Sequence, residues 1–211
     1  GKGLQSGTTH YFGTGFAKAF NIQFLGRDNK THTPHETSWG VSTRLLGAII
    51  MVHGDDNGLV LPPYVAPIQV VVLPIAQQKP GVIPAARELA KTLEDAGIRV
   101  KLDESDKSAG WKFSEYEMKG VPLRVEIGPR DIEAGVVTIA KRNDGTKITV
   151  KKEELVDTVN NLMKTIHQEM YQKALKYLLD HVTEVHNMDE LNAALEKGGY
   201  AKMMWCGEQA C

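Results

Sequence analysis

Cysteine is almost absent from this 211-residue sequence, which contains only Cys206 and Cys211. Two cysteines close to one end cannot cross-link the rest of the chain, so the fold must depend on its hydrophobic core. No apolar run approaches the roughly 20 residues that a membrane helix needs, and the N-terminus lacks the apolar core of a secretory signal. We therefore expect a cytoplasmic protein that does not contact a membrane.

An excess of charge of either sign is also absent. The formal net charge is -1, with 42% hydrophobic and 24% charged residues. This is the composition of an ordinary folded protein, and it gives no overall attraction to a polyanion. Any binding of nucleic acid must therefore depend on a local cluster of basic residues.

Short apolar patterns separated by polar stretches characterise the first third of the chain. Alternation of apolar and polar residues over 20–24 predicts a half-buried strand. The run 45–52 is apolar on every side and predicts a buried helix, and residues 59–63 predict a short strand. A proline-punctuated connection that ends at Pro67 predicts a domain boundary.

The remaining sequence alternates strand and helix patterns. A strand, a helix and a second strand at close spacing predict a parallel pair, because a parallel connection needs a crossover. A later hairpin around an Asp-Gly turn adds antiparallel strands, so we expect a mixed five-stranded sheet with flanking helices. The predicted strands cover 68–75, 98–102, 123–127 and the arms of a hairpin over 136–150, and the predicted helices cover 84–96, 111–118, 190–196 and the periodic segment from 151.

A locally basic segment with interleaved aromatic residues spans 111–152. It contains nine Lys or Arg against six Asp or Glu. Aromatic side chains can stack on bases while cations hold phosphates, which is typical of proteins that read single-stranded RNA. A solvated face over a partly buried aromatic core explains the same residue types equally well.

Ser42, Thr43 and Arg44 come at the start of the predicted helix. Helix amides, the positive end of the helix dipole and a guanidinium would together suit a phosphate, as in ATP. In the alternative, Ser42 or Thr43 only caps the helix and Arg44 pairs with a carboxylate. Residue types alone favour this alternative by about two to one.

A polar group that includes Gln5, Thr8 and His10 precedes an aromatic stretch near the N-terminus. Such residues would suit a pocket for a small polar substrate. Taken alone, His10 is more often a hydrogen-bonded structural histidine than a binding or catalytic one.

Cys206 and Cys211 flank four residues, a spacing compatible with one half of a four-ligand zinc site. Two free thiols would fit the same spacing. Only further ligands downstream would complete such a site.

Five segments, taken in chain order, resemble prolyl-tRNA synthetases along nearly the whole chain. Any one of them could arise by chance, whereas five in register could not. They are LQSGTTHYFG at 4–13, SWGVSTR at 38–44, HGDDNGLVLPP at 53–63, GWKFSEYEMKGVPLRVEIGPRD at 110–131 and WCGEQAC at 205–211.

The resemblance implies an α/β fold in three parts. Residues 1–67 would form the end of the antiparallel catalytic domain of a class II synthetase. Residues 68–167 would form the α/β anticodon-binding domain, and 168–211 the start of a small, truncated C-terminal domain of the zinc type.

The activity that the resemblance implies is proline–tRNA ligation. Such an enzyme activates L-proline with ATP and Mg²⁺, esterifies tRNA(Pro), and works as a cytoplasmic homodimer, with Zn²⁺ in the complete C-terminal domain of some members. The first two class II signatures do not occur in this sequence. We therefore expect this chain alone to be unable to form prolyl-adenylate.

The resemblance also implies roles for individual residues, and for Arg44 it overturns the alternative of a mere ion pair. Arg44 falls in the third class II signature and would contact ATP as the catalytic residue. His10 would line the proline pocket. The implied ATP-binding residues are Gln5, Thr8, Ser42, Thr43 and Arg44; the implied anticodon-binding residues are Glu117, Arg124, Arg130 and Lys112; and the half zinc site is Cys206 and Cys211.

Two rival functions belong to other classes. A freestanding tRNA-binding or regulatory module derived from an anticodon domain would have no need of the 4–63 region. A synthetase for another amino acid is disfavoured by the strings at 53–63 and 110–131.

Overall fold

A computed structural model describes residues 3–208 of the chain. These residues cluster in two compact units, one ending at Ala48 and the other beginning at Ile49. No helix within the described residues is long and apolar enough to cross a membrane.

The first unit contains two small antiparallel ladders and a short helix. Strand β1 (Thr8–Gly13) pairs with β4 (Glu36–Gly40), and β2 (Phe24–Leu25) pairs with β3 (Thr31–His32). Helix α1 covers Gly15–Ala19.

The strand predicted over 20–24 is wrong except at its last residue. Phe20 instead caps the C-terminus of α1, and Asn21 has a φ of 52°, which is incompatible with a strand. Phe20 is also 72% exposed, so the alternation does not mark a half-buried face. The alternation of apolar and polar residues here comes from a short helix followed by Asn21 in the left-handed conformation.

Helix α2 (Arg44–His53) confirms the predicted helix but not its burial. None of its residues is buried, and Leu46 and Met51 are 62% and 70% exposed. A helix that is apolar on every side needs neighbours all round, and residues 3–208 do not supply them.

The second unit is built on a five-stranded mixed sheet in the order β6-β5-β7-β8-β9. The central strand pairs β5-β6 and β5-β7 are parallel, whereas β7-β8 and β8-β9 are antiparallel. This confirms the α/β class, the predicted parallel pair and the hairpin. The strands are β5 (Val70–Pro74), β6 (Val100–Leu102), β7 (Leu123–Ile127), β8 (Val136–Lys141) and β9 (Lys147–Lys151).

Helices cover the two faces of this sheet unequally. Helices α3 (Val82–Asp95) and α6 (Leu155–Asp180) contribute their apolar stripes to the main core on one face. On the other face, α4 (Ala109–Met118) contributes Phe113 and Tyr116 to a smaller cluster around Val71 and Leu73. A single short helix cannot cover five strands, so the part of this face formed by β7, β8 and β9 carries polar side chains.

Residues 59–63 do not form the predicted strand. They pass the end of α4, where Leu59 N donates to the carbonyl of Met118 at 2.9 Å and Leu61 N to that of Gly120 at 3.3 Å. The backbones approach so closely that a Cβ on Gly58 would lie 2.6 Å from Met118 Cα. The backbone of this segment pairs with the turn after α4 and not with another strand. For this reason the strand pattern of 59–63 does not produce a strand.

Several further elements complete the second unit. The predicted helix at 190–196 is confirmed with slightly wider bounds, whereas a short helix after β7 and a parallel strand pair near the C-terminus were not predicted. These elements are α5 (Pro129–Ala134), β10 (Val182–Glu184), α7 (Met188–Lys197) and β11 (Tyr200–Lys202).

Candidate nucleic-acid interface

Polar side chains from three adjacent strands form two rows on the open part of the sheet face. Cross-strand partners in an antiparallel ladder point to the same side. The register therefore aligns Arg124 with Ala140 and Lys147 in one row. The second row aligns Glu126 with Thr138 and Thr149.

Arg124 is held in a fixed orientation beside α4. Its Nε donates to Glu126 Oε1 at 2.9 Å, and its guanidinium carbon lies 4.0 Å from the centre of the Phe113 ring. Within residues 3–208 this is the only hydrogen bond of the Arg124 side chain. Both terminal nitrogens therefore remain able to donate to a ligand.

Glu117 lies at the last turn of α4, facing the same region. Its Oε1 accepts a hydrogen bond from Asn57 Nδ2 at 3.3 Å, and within the described residues Oε2 accepts none. A half-buried carboxylate with an unused oxygen is suited to accept from the N–H groups of a base edge.

Glu117 and Arg124 both line one cleft of about 470 Å³. The walls are the turn that includes Asp55 and Asn57, the end of α4, and the tip of the β8–β9 hairpin. Two of the predicted anticodon-binding residues thus lie in one concave site, and their role in binding stays a prediction.

An ion pair closes one side of the cleft. Arg142, whose side chain is only 6% exposed, donates to Asp55 through Nη1 at 2.7 Å and Nη2 at 2.6 Å. The paired guanidinium lowers the pKa of the Asp55 carboxyl to about 2 from an ordinary 3.8. A bidentate pair of this kind fixes geometry as well as charge.

We expect this ion pair to make the protein sensitive to acid. A lowered folded-state pKa means that the stabilisation is fully present above about pH 4 and is lost as the pH falls toward about 2. Because the Asp55 side chain is 45% exposed, solvent screening reduces the effect to about 1 kcal/mol. Urea unfolding of the native chain and of Asp55→Asn at several pH values measures this loss of stability at acid pH.

The native chain should lose about 1 kcal/mol more than Asp55→Asn over that pH interval. Asp95→Asn, which removes one member of an exposed pair with Lys91, is the matched control. Parallel pH curves for the native chain and Asp55→Asn would contradict the expectation.

The other two predicted anticodon residues lie elsewhere. Arg130 is exposed at the start of α5, outside the residues that line the cleft. Lys112 is only 2% exposed, and its ammonium donates to Gln77 Oε1 at 3.1 Å and to the carbonyl of Asp103 at 3.0 Å. The structure therefore argues against an RNA contact by Lys112, because its charge is used inside the protein.

Lys147 was not singled out from the sequence but lies beside Arg124. Its Nζ donates to Glu126 Oε1 at 3.1 Å and lies 5.6 Å from the centre of the Phe113 ring, on a side chain 50% exposed. The alternation of β9 after the Asp-Gly turn was the signal that could have placed it on the open face.

In the first unit, hydrogen bonds bring three of the predicted ATP-binding residues together. Gln5 Nε2 donates to Thr8 Oγ1 at 2.7 Å, and Arg44 Nη1 donates to Gln5 Oε1 at 3.2 Å. Ser42 Oγ accepts from the backbone N–H of Arg44, the first residue of α2, at 3.3 Å, and Thr43 lies between them. Among the described residues Arg44 forms no ion pair with a carboxylate.

His10 lies two residues after Thr8 on β1, on the same face of the strand. Its ring stacks on Phe12 with 5.3 Å between centres, and it is exposed. The structure thus groups His10 with the residues predicted to bind the nucleotide.

The predicted half zinc site is only partly described. Cys211 lies outside the described residues, and Cys206 Sγ accepts a hydrogen bond from Glu208 N at 3.4 Å. Within residues 3–208 no three His, Cys, Asp or Glu side chains are grouped so as to hold a metal ion. The half zinc site of Cys206 and Cys211 therefore stays a prediction.

Comparison with known proteins extends these observations. Residues 69–162 match a family model described as an anticodon binding domain. Over 212 residues the chain is 54% identical to the proline–tRNA ligase of Lachnospira eligens, and it is 50% identical to that of Lachnoclostridium phytofermentans, with all of this chain and 44% of each relative covered. The chain is homologous to proline–tRNA ligases along its whole length.

The homology also bears on the alternative of a freestanding module. The proline–tRNA ligase of Oceanobacillus iheyensis is 49% identical, again over all of this chain and 44% of its own length. The similarity to proline–tRNA ligases therefore includes the region before residue 69 as well as the anticodon-binding domain. A module that borrowed only an anticodon domain is not favoured.

Proposed function

We propose that this chain contains the anticodon-reading surface and part of the ATP and proline site of a proline–tRNA ligase. The observation that carries the proposal is the cleft lined by Glu117 and Arg124 within the segment that matches an anticodon binding domain. The chain spans 44% of the length of the relatives it matches, so the reaction of the whole enzyme is part of the proposal.

Prolyl-tRNA synthetases, which the chain resembles, read anticodon guanines, and the cleft is suited to this base. The two unengaged nitrogens of Arg124 can donate to guanine O6 and N7, and the carboxylate of Glu117 can accept from N1–H and the 2-amino group. The Phe113 ring holds Arg124 from one side. Lys147 adds positive charge beside this surface for phosphates, and Arg130 adds a further RNA contact from the start of α5 in this proposal.

The residues around the start of α2 form the proposed ATP site. The helix amides and Arg44 bind phosphate oxygens in this proposal. Gln5, which is hydrogen-bonded to Thr8, accepts from the Arg44 side chain, and Gln5 and Thr8 both contact the nucleotide. Ser42 and Thr43 lie at the helix start, where the dipole favours an anion. His10 lines the proline pocket in this proposal.

The proposed first step forms a bond between a proline carboxylate oxygen and the α-phosphorus of ATP and breaks the bond to pyrophosphate. No side-chain nucleophile is needed, so the protein acts by orienting the reactants and by stabilising negative charge. Mg²⁺ accompanies ATP and contributes positive charge at the phosphates. In a second step a tRNA(Pro) hydroxyl forms an ester with the prolyl group, the bond from that group to the adenylate breaks, and AMP leaves.

The domain bounds and the assembly remain part of the same proposal. We assign residues 1–67 to the catalytic domain, 68–167 to the anticodon-binding domain and 168–211 to a C-terminal domain. The enzyme is a cytoplasmic homodimer.

Binding of tRNA(Pro) tests the proposal. We expect the chain to bind tRNA(Pro) more tightly than the same tRNA with both anticodon guanines replaced, by about 1–3 kcal/mol per altered base. Moderate salt suppresses nonspecific phosphate contacts. Equal binding to both RNAs would contradict anticodon reading and leave a nonspecific basic surface.

A further inference from the structure

The Glu117 carboxylate, which faces the cleft, is held by a neighbouring side chain. Glu117 is the last but one residue of α4, and its Oε1 is held by the side-chain amide of Asn57. A glutamate at a helix end loses rotamer freedom when it is fixed. A neighbour that fixes it in advance lowers the cost of binding a base.

The backbone of Glu117 is held as well. Arg142 Nε donates to the carbonyl oxygen of Glu117 at 2.9 Å, while both terminal nitrogens of Arg142 are bound by Asp55. A cation at the carboxyl end of α4 also complements the helix dipole. Nε, Nη1 and Nη2 of Arg142 thus each make a hydrogen bond inside the protein, and its side chain is only 6% exposed, so its contacts fix the end of α4.

The turn that supplies Asp55 and Asn57 is itself rigid. Asp55 and Gly58 exchange backbone hydrogen bonds at 3.0 and 3.1 Å, and Asn57 N donates to Asp55 Oδ1 at 3.0 Å. Leu59 N then binds the carbonyl of Met118, next to Glu117. Side chain and backbone contacts therefore fix the turn against the end of α4 at several points.

We propose that Asp55, Asn57 and Arg142 are positioning residues that set the orientation of Glu117 for guanine. Asn57 orients the carboxylate, and the Asp55–Arg142 pair fixes the helix end that carries it. Each carboxylate oxygen has two lone pairs, so Oε1 can accept from Asn57 and from the base together. This inference rests on the proposed function and adds the residues that make its guanine reading selective.

Inosine gives the sharpest probe, because it lacks only the 2-amino group of guanine. The experiment measures the affinity of the full chain for tRNA(Pro) with guanine and with inosine at the anticodon positions. The quantity compared between variants is the ratio of the affinity for the guanine tRNA to that for the inosine tRNA. Glu117→Gln should abolish the preference for guanine. Asn57→Ala and Arg142→Lys should lower the ratio by about three- to tenfold, equivalent to loss of one orienting hydrogen bond.

Two control variants carry the same substitutions outside the cleft. Asn192→Ala changes an exposed residue of α7. Arg87→Lys changes an exposed arginine that also makes two bonds to a carboxylate, that of Glu104. Both controls should keep the native ratio.

The outcomes separate the inference from the proposed function. If Glu117→Gln loses guanine preference while Asn57→Ala and Arg142→Lys keep it, the positioning role is overturned and anticodon reading stands. If Glu117→Gln keeps the preference, the proposed reading by this residue fails as well. If Arg142→Lys does not fold, Asn57→Ala decides alone, because Asn57 is exposed.

Discussion

Replacing Lys112 with methionine is expected to lower the free energy of unfolding by about 3 kcal/mol. The Lys112 ammonium lies 3.7 Å from Asp103 Oδ1, and the two side chains are 2% and 9% exposed. Methionine fills a similar volume but leaves the buried carboxylate without its cation. Hydrogen bonds to Gln77 and to the Asp103 carbonyl are lost at the same time.

The expected loss lies at the lower end of the range for broken buried pairs because Asp103 keeps other partners. Burial raises the pKa of Asp103, whereas hydrogen bonds from Ser105 and Tyr116 and the charge of Lys112 lower it more, so that the net shift is downward. Burial and the same carboxylate raise the pKa of Tyr116 to about 12. Lys112 is thus one member of a network and not its sole support.

Urea unfolding at neutral pH measures this effect, with the midpoint and the slope compared separately. Lys101→Met, at an exposed position of β6, is the matched control and should change stability by less than about 0.5 kcal/mol. A loss below about 1 kcal/mol in Lys112→Met would contradict the structural role. Under conditions where that variant is folded, it should still discriminate guanine, since Lys112 does not reach the cleft.

Lys112 also shows where sequence reasoning about the site fails. The residue types of 111–152 indicate a basic face, and α4 is correctly predicted, but neither gives the partner of a particular lysine. The partners Gln77 and Asp103 come from two other segments. Burial of a charge depends on such distant neighbours, so pattern and composition could not reveal it.

The sheet was predictable because its signals are local. A buried parallel strand reads as a continuous apolar run, as at Val70–Pro74, and an Asp-Gly turn fixes a hairpin. The strand predicted over 20–24 failed because short amphipathic patterns do not distinguish a strand from a helix end. The Asp55–Arg142 pair joins residues 87 positions apart, and no local pattern encodes it.

Arg124→Lys is expected to weaken guanine recognition by about 1–3 kcal/mol while leaving nonspecific RNA binding almost unchanged. Lysine keeps the charge but not the planar fork that can donate to O6 and N7 together. It also loses the fixed stacking on Phe113 and the bond from Nε to Glu126 that orient the fork. The loss should therefore concern selectivity more than total attraction to phosphate.

Affinities for tRNA(Pro) and for the guanine-replaced tRNA, each measured over a range of salt, separate these two contributions. For Arg124→Lys the ratio of affinities should fall toward one, with an unchanged dependence on salt, whereas the control Arg87→Lys should match the native chain. A uniform loss on both RNAs, with the salt slope reduced by about one, would instead identify Arg124 as a phosphate contact. In that case Glu117 alone would have to supply the selectivity of the cleft, because Arg142 is already bound to Asp55 and to the end of α4.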